Sequence, residues 1–360
     1  MRRTLRVPVV VRDASVDATA AGHVTPVLTA SDRRRHALRR AALGLVTASL
    51  VLAAAPRAAA DEPRVVGIGL LANEATPESG PVLRRVLRDL GWVEGQNTKT
   101  WYRYAQGKFE LFPGHAQELL RVGVHVIVAA GPPAIEAARQ ATKTVPIVVA
   151  TTDDPVANGL VASARRPGGN LTGLSLFVPE LARRRLELLK HAVPRATRVA
   201  VLWNPSNPTA ALELKETQVA ARTLGVELAP VELREDAEFR AALDRVKGGN
   251  AGALVVLADA VTVARRRDLA KFAAKSRLPA VYPLGEFVDA GGLLAYGPTW
   301  TEAFHSVAIF VDRILRGARP AELAVERPTR FELLVNLRAA KTLGLAIPSS
   351  LLTRADRVIQ

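Results

Sequence analysis

Apolar positions beyond residue 64 fall into short continuous runs, and the segments between these runs have helical periodicity. The runs are VVGIGLL (65–71), VHVIVAAG (124–131), PIVVAT (146–151), RVAVLWN (198–204), ALVVLAD (253–259) and PAVYPL (279–284). Strands that are apolar along their whole length are buried on both faces, which is typical of parallel sheets covered by helices. The alternation with helical segments such as PVLRRVLRDLG (81–91) therefore predicts parallel βαβ units.

The same series of features occurs twice along the chain. A strand ending in Asn, a Pro-bearing loop, a helix and Leu-Gly follow both Arg64 and Arg198, and a second pair of apolar runs comes after each. We therefore predict an α/β protein of two similar Rossmann-like lobes with parallel sheets, joined by a hinge. The turn-rich stretch 153–175 is expected to connect the lobes, with a second crossing near 289–298. The predicted limits are 1–60 for an N-terminal extension and signal peptide, 61–170 for lobe 1 with part of 290–330, and 171–290 for lobe 2 with part of 326–360.

The N-terminal region carries the pattern of a cleaved export signal. Arginines at 33–40 precede an apolar stretch of 15 residues, 41–55, and the alanines at 58–60 form an A-x-A cleavage pattern before Asp61. A transmembrane span needs about 20 apolar residues, so a stable membrane anchor is the less favoured alternative. We expect Asp61 to begin a mature periplasmic chain, and an arginine pair in the basic stretch leaves both Sec and twin-arginine export open.

Charge and cysteine content narrow the class of protein. The net charge of +15 falls to +8 without residues 1–60, and the remaining basic residues are interspersed with acids. The arginine triplets 183–185 and 265–267 lie in helix-like segments and are interpreted as solvated faces, so we predict no nucleic-acid binding. The chain has no cysteine, which excludes disulfides, thiolate chemistry and lipid attachment to an N-terminal cysteine.

Polar residues follow the predicted strands at the positions where a ligand would bind. In open α/β sheets, ligands lie beyond the carboxyl ends of the strands, and two facing lobes would direct both sets of ends into one cleft. We expect Asp154 or Asp259 to meet a ligand cation, and Asn204 and Thr152 to meet an anion or a carbonyl group. Turn formation by the aspartates, a loop-fixing role for Asn204 and core packing of Tyr296 are the alternatives. The candidate ligand-binding residues are Asn73, Gly131, Pro132, Thr152, Asp153, Asp154, Asn204, Asp259, Glu286 and Tyr296.

Motifs for catalysis and metal binding are weak or missing in the sequence. GIGLLA (67–72) has the G-x-G-x-x-A form of a dinucleotide fingerprint, but its glycines lie inside the apolar strand instead of the following turn. The histidines beyond residue 65 lack the spacing of metal ligands, and GLSLF (173–177) lacks the second glycine of a nucleophile elbow. We therefore expect no catalytic residues, no cofactor and no metal.

Three segments resemble the signatures of one family, and they occur in the family's order. They are DPVANGLVASARRPGGNLTGLS (154–175), AGGLLAYGP (290–298) and RPAELAVERPTRFELLVNLRAAKTLGLAIPSSLLTRADRVI (319–359). Over about residues 65–359 the chain resembles the bacterial ABC-transporter substrate-binding family of the tryptophan/tyrosine type. The resemblance implies a type I periplasmic-binding fold, with an ABC permease and its ATPase as partners. The family's G-[ST]-P-A offers a hydroxyl and an N–H to a ligand carboxylate, whereas Gly131-Pro132-Pro133 offers neither there.

These observations predict an extracytoplasmic solute-binding receptor without enzyme activity. It would deliver a small molecule, an amino acid or a related metabolite, to an ABC importer when a hinge closes the two lobes, and we expect it to be a monomer. An exported enzyme and a ligand-sensing subunit on the same two-lobed scaffold are the alternatives that the sequence leaves open.

Overall fold

The computed structural model describes residues 65–360, and the predicted signal peptide and cleavage position lie outside this range. The strands are β1 Val66–Ala72, β2 Thr98–Tyr104, β3 Val126–Ala130, β4 Ile147–Thr151, β5 Leu171–Ser175, β6 Arg198–Trp203, β7 Glu227–Glu232, β8 Ala253–Val256, β9 Ala280–Tyr282, β10 Leu294–Gly297, β11 Glu332–Asn336 and β12 Arg357–Ile359. The helices are α1 Gly80–Asp89, α2 Phe112–Arg121, α3 Pro132–Ala141, α4 Glu180–Ala192, α5 Pro208–Leu224, α6 Phe239–Gly248, α7 Ala260–Ala264, α8 Arg266–Lys275, α9 Glu286–Asp289, α10 Trp300–Leu315, α11 Leu337–Thr342 and α12 Ser349–Leu352. Within the described range, no helix has the length and apolar character that crossing a bilayer requires.

Five parallel strands form the first sheet, in the order β2-β1-β3-β4-β5. Successive residues of a strand point to opposite faces, and here each face is covered by two helices. On one face Leu119 of α2 and Ile135 of α3 share an apolar cluster with Ile127. On the other face Phe310 of α10 shares a cluster with Val128 and with α1. Burial on both faces explains why β3 is apolar throughout and why β4 is apolar up to its last residue, Thr151.

Seven strands form the second sheet, in the order β12-β11-β10-β9-β8-β6-β7. All neighbouring pairs are parallel except β10 with β11. Leu189 of α4 and Leu214 of α5 share a cluster with Val255 on one face. Leu269 of α8 shares a cluster with Leu254 and with α6 on the other. The predicted fold class, two α/β lobes with mostly parallel sheets, is confirmed.

The chain passes between the two sheets at three places. It leaves the first sheet after Ser175, returns at 298–299, and leaves again between Glu326 and Glu332. Because of the return, α10 packs against the first sheet although β10, directly before it, belongs to the second. These three connections are therefore the candidate hinge.

The predicted boundary between the lobes falls before the last strand of the first sheet. The five residues Leu171–Ser175 form β5 and pair with β4, so the first sheet continues beyond residue 170. The run LTGLS is too polar to be recognised as a buried strand. It contains Gly173 because a Cβ there would lie 2.3 Å from the carbonyl oxygen of Val149. The other lobe limits stay a prediction.

We expect Gly297→Ala to destabilise the protein. A Cβ at Gly297, the last residue of β10, would lie 2.0 Å from the carbonyl oxygen of Pro283, and a backbone atom cannot move aside locally. Strain of this kind costs about 1–3 kcal/mol, which should lower the melting temperature by about 2–6 °C in thermal denaturation followed by circular dichroism. Gly114→Ala is the matched control, since Gly114 is exposed in α2 and its added Cβ would meet nothing within 4 Å. Equal melting temperatures for the two variants would contradict the close approach at Gly297.

Candidate ligand-binding site

A cavity of about 130 Å³ lies between the two lobes. The first lobe contributes the ends of β1 and β3, the second contributes α7 to α9, and α10 contributes two aromatic residues. An apolar cavity of about 150 Å³ takes a benzene-sized molecule, so this cavity takes a group of about one ring. The lining residues are Ala72, Asn73, Glu74, Thr76, Ser79, Ala130, Gly131, Val263, Arg266, Glu286, Phe287, Trp300 and Phe304. We call this the inner cavity.

Three aromatic residues are among those that line the inner cavity. Trp300 and Phe304 stand four residues apart on α10, with ring centroids 6.1 Å apart. Trp300 is partly exposed, Phe304 is buried, and Phe287 of α9 is fully buried and stacks on Tyr282 of the second lobe. Thr299 caps α10 by accepting a hydrogen bond from the Glu302 N–H at 3.2 Å, which fixes where Trp300 begins the helix. These three aromatic residues were not among the predicted ligand-binding residues. The i, i+4 aromatic pair after the Gly297-Pro298 break was the available indication.

An ion pair between the lobes borders the inner cavity. Arg266 Nη2 lies 2.6 Å from Glu74 Oε2, and the Arg266 side chain is only 14% exposed. Arg266 Nη1 also donates to the Val263 carbonyl oxygen at 3.1 Å. The interpretation of the triplet 265–267 as a solvated face was therefore wrong for Arg266. It was also wrong for Arg185 of the other triplet, which is 3% exposed and pairs with Glu213 at 2.8 Å.

Glu286 is a cavity-lining carboxyl group that receives no hydrogen bond from a side chain of residues 65–360. Its pKa is raised to about 7, chiefly by burial and also by the nearby acids Glu78 and Asp289, while its own backbone N–H and Arg266 lower it. The group begins α9 directly after Gly285. The backbone N–H and Arg266 compensate its charge only in part, so a cation supplied from outside would be stabilised beside it.

A polar contact joins the lobes beside the hinge connections. Asn207 Nδ2 donates to Asp153 Oδ1 of the first lobe at 3.2 Å and to Asp259 Oδ2 of the second at 3.1 Å. Asn207 Oδ1 accepts from the Thr209 N–H at 2.9 Å and so caps α5. The Asp154 N–H donates to Thr209 Oγ1 at 2.9 Å, which adds a second bond between the lobes.

The same contact gathers buried acids. The pKa of Asp153 is raised to about 6, chiefly by burial and also by the charges of Asp259 and Glu213, while the hydrogen bonds from Asn207 and Asn158 lower it. Burial also raises the pKa of Asp259. Asp259 Oδ1 accepts from the Val261 N–H as the cap of α7, and Oδ2 accepts from Asn204 at 3.1 Å as well as from Asn207. The side-chain oxygens of Asp259 are thus already occupied by protein donors.

The structure divides the ten predicted site residues among several positions. Asn73, Gly131 and Glu286 line the inner cavity. The contact between the lobes holds four others, Asp153, Asp154, Asn204 and Asp259. The remaining three lie elsewhere: Thr152 is buried after β4, Pro132 begins α3, and Tyr296 packs on Phe331 and the core of the second lobe.

A wider polar cleft of about 550 Å³ adjoins the inner cavity, and the two share Glu286 and Trp300 as lining residues. We call it the outer cleft. Its charged lining residues are more often acidic than basic. They are Glu78, Arg85, Glu286, Asp289, Glu302, Arg330, Glu332 and Arg357.

Solute-binding proteins have two lobes with a cavity between them. Comparison with known families shows to which family this chain belongs. The family model described as ABC transporter substrate binding protein matches residues 78–359. The chain belongs to this family. A relative of this ABC transporter substrate-binding protein, the tyrosine-binding protein of Clostridioides difficile strain R20291, is 24% identical over 261 residues. The match covers 72% of this chain and 75% of the relative.

Solved structures share the fold of this substrate-binding protein. A conserved domain protein from Vibrio cholerae O1 biovar El Tor is 26% identical, with a TM-score of 0.74 over 82% of this chain and 100% of its own. An ABC domain from Streptococcus pneumoniae in complex with L-Trp is 23% identical, with a TM-score of 0.73 over the same shares. The resemblance inferred from the three sequence segments is confirmed, and so is the type I periplasmic-binding fold.

We expect the stability contribution of Asp153 to depend on pH. Its pKa is raised to about 6 by burial, so the folded protein binds this proton more tightly than the unfolded chain does. The contribution is complete below the ordinary pKa of an aspartate and is lost as the pH rises through about 6. Relative to Asp153→Asn, the free energy of unfolding of the wild type should fall by about 1 kcal/mol from pH 5 to pH 7.

Urea denaturation at both pH values measures this difference. The Asp153→Asn side chain keeps an acceptor for Asn207, and the amide of Asn158, whose Oδ1 is buried without a partner, can rotate to accept from the new amide. Asp89→Asn on the exposed surface of α1 is the matched control for losing one carboxyl group. If the difference in the free energy of unfolding between the wild type and Asp153→Asn is the same at pH 5 and pH 7, the buried position of Asp153 is contradicted.

Proposed function

We propose that this substrate-binding protein is a periplasmic receptor whose lobes close on a small molecule and present it to an ABC permease and its ATPase. The observation that carries the proposal is the inner cavity, because both lobes contribute to its wall. A ligand held there contacts both lobes at once and therefore favours the closed arrangement over an open one. Closure about the three connecting segments is the corresponding movement.

The contact between the lobes supports closure as a defined state. The Asn207 amide bridges Asp153 and Asp259 only when the lobes meet, and all three side chains are at most 8% exposed. In an open arrangement water would hydrate the two carboxylates, so closure exchanges hydration for a few hydrogen bonds. The closed and open states should accordingly differ little in free energy without ligand, which allows a ligand to select between them.

The ligand class that we propose is an amino acid or a related metabolite. The relative from Clostridioides difficile is named for tyrosine, and the Streptococcus pneumoniae structure holds L-Trp. The Trp300 ring and the Glu286 carboxyl group in the inner cavity suit a ligand with an apolar ring and an ammonium group. We expect stoichiometric binding by a monomer without turnover of the ligand.

We expect the exported protein to begin at Asp61. The apolar stretch 41–55 and the alanines at 58–60 form a signal peptide and its cleavage position. N-terminal sequencing of the protein recovered from the periplasm of a Gram-negative expression host tests this. Retention of the full chain in the membrane fraction would contradict cleavage and would favour an uncleaved anchor.

We expect ligand to bring the lobes together, and the absence of native cysteine allows two labels to be placed cleanly. Lys108→Cys after β2 and Glu235→Cys after β7 are both exposed and lie on different lobes. Transfer efficiency between dyes at these positions should rise when amino acids or amines are added as single compounds. Asn207→Ser keeps a cap for α5 but is too short to bridge the two aspartates, so it should require about tenfold more ligand for half-closure.

Lys215→Ala, exposed on the same helix, is the matched control and should close like the labelled parent. If no compound in a panel of amino acids, amines, sugars and nucleosides changes the transfer efficiency, the receptor proposal fails. Product formation from a bound compound would instead support the exported-enzyme alternative.

A further inference from the structure

The charged residues that line the inner cavity are two acids and one base. Glu74, Glu286 and Arg266 make up this set among residues 65–360, so the lining carries a net negative charge when both acids are ionised. An α-amino acid carries both an ammonium and a carboxylate. The carboxylate of such a ligand would enter a cavity whose charge balance opposes it unless a free cation receives it.

Arg266 is the lining cation, and its guanidinium is already engaged. Glu74 holds Nη2 at 2.6 Å, and the Val263 carbonyl oxygen accepts from Nη1 at 3.1 Å. A ligand carboxylate would have to displace Glu74 and leave that acid unpaired beside the cavity. Displacement of Glu74 would replace one ion pair by another and leave the Glu74 carboxylate without a partner. It would therefore contribute little to the free energy of binding.

Main-chain donors for an anion are depleted on the first-lobe side of the inner cavity. Of the helices that begin at its lining residues, α1 and α3 follow strand ends of the first lobe, and such helix starts usually present several free N–H groups to an anion. Pro81 occupies the first turn of α1, while Pro132 and Pro133 open α3, so three of these N–H groups do not exist. Ser79 does not replace them, because its hydroxyl proton is donated to the Thr76 carbonyl oxygen at 3.0 Å.

The same cavity is well supplied for a cation. Glu286 receives no side-chain hydrogen bond within residues 65–360, and burial raises its pKa although its own backbone N–H and Arg266 compensate its charge in part. Trp300, which is partly exposed, lines the same space together with the buried residues Phe287 and Phe304, and aromatic faces attract ammonium groups. A carboxylate beside aromatic rings is a suitable environment for an organic ammonium ion.

The outer cleft points to the same charge preference. Five carboxylates and three arginines line it, and one of those arginines, Arg357, is already paired with Asp289 at 2.6 Å. The outer cleft and the inner cavity share Glu286 and Trp300, so a ligand that passes from one to the other stays in an acidic environment. The negative electrostatic potential of such an environment raises the local concentration of cations.

We propose that the inner cavity selects a small organic amine, a cation of about single-ring size without a carboxylate, over the corresponding α-amino acid. The proposal rests on the receptor function proposed above and names the substrate class of the same site. Glu286 receives the ammonium group, the aromatic residues enclose the apolar part, and the Glu74–Arg266 pair stays intact and excludes a ligand carboxylate.

Matched ligand sets test the proposal on the purified protein. Phenethylamine, phenylalanine and 3-phenylpropionate share one apolar group and differ only in which charged groups they carry; tyramine with tyrosine and tryptamine with tryptophan extend the comparison. Isothermal titration calorimetry should give an affinity for each amine at least about tenfold higher than for its amino acid, with no detectable binding of the propionate. Equal or tighter binding of the amino acids, or no binding of any amine, would overturn the proposal.

Two variants separate the roles of the cavity acids. Glu286→Gln keeps the shape of the side chain and removes its charge, so amine affinity should fall at least about tenfold. Glu74→Gln releases Arg266, so the amino acid should gain affinity and the amine-to-amino-acid ratio should narrow. Glu302→Gln is the matched control, since Glu302 lines only the outer cleft, and it should leave the ratio within about twofold. An unchanged ratio in both Glu286→Gln and Glu74→Gln would contradict the assignment.

The outcomes distinguish this proposal from the receptor function itself. Closure driven by amino acids, without an amine preference, would keep the receptor function and overturn the amine selectivity. If no solute of any class closes the lobes, both fail together. If Glu286→Gln does not fold by circular dichroism, the amine-to-amino-acid ratio of the unmodified protein still decides the question.

Discussion

The central constraint on this structure is the side-chain amide of Asn207, which joins a buried carboxylate from each lobe. Asp153 and Asp259 are 3% and 5% exposed, and each would be costly to bury without donors. One amide group with two hydrogens serves both acids and uses its oxygen to cap α5. Arg185, paired with Glu213 and donating to the Tyr296 carbonyl oxygen at 2.8 Å, places a positive charge within the same acid cluster. The lobes therefore meet through hydrogen bonds that are satisfied in one relative position.

Asp153, Asn207 and Asp259, which form this contact, are not among the residues that line the inner cavity. The three segments that connect the sheets are short, and the second of them delivers α10 from the end of β10 onto the first sheet. Trp300 and Phe304 therefore reach the inner cavity from a helix that is fixed to the first lobe, whereas Glu286 and Phe287 come from the second. A change in the angle between the lobes would alter the distance between these two groups of residues. In the receptor that we propose, ligand selectivity and closure would therefore involve the same residues.

Sequence patterns predicted the fold better than the site. The six apolar runs all coincide with strands, because a strand that is buried on both faces is apolar along most of its length. β5 was not recognised, since its run contains Thr, Gly and Ser and is buried through close backbone approach at Gly173. Three of the residues predicted from the strand ends, Asn73, Gly131 and Glu286, line the inner cavity. Arg266 was not predicted, because arginine triplets on a helix are ordinarily solvated. Arg266 forms an ion pair between the lobes only because Glu74 lies beside it on the other lobe. Distances between lobes are not encoded in local periodicity.

The most direct test of the contact between the lobes is amide hydrogen exchange at Asp154. Its N–H donates to Thr209 Oγ1 at 2.9 Å across the lobes, and Thr209 is fully buried. In the purified protein this amide should exchange at least about tenfold more slowly than in Thr209→Val, which keeps the volume of the side chain but removes the acceptor. Exchange at the rate of an exposed loop amide, unchanged by Thr209→Val, would contradict the account that the lobes meet through these polar contacts.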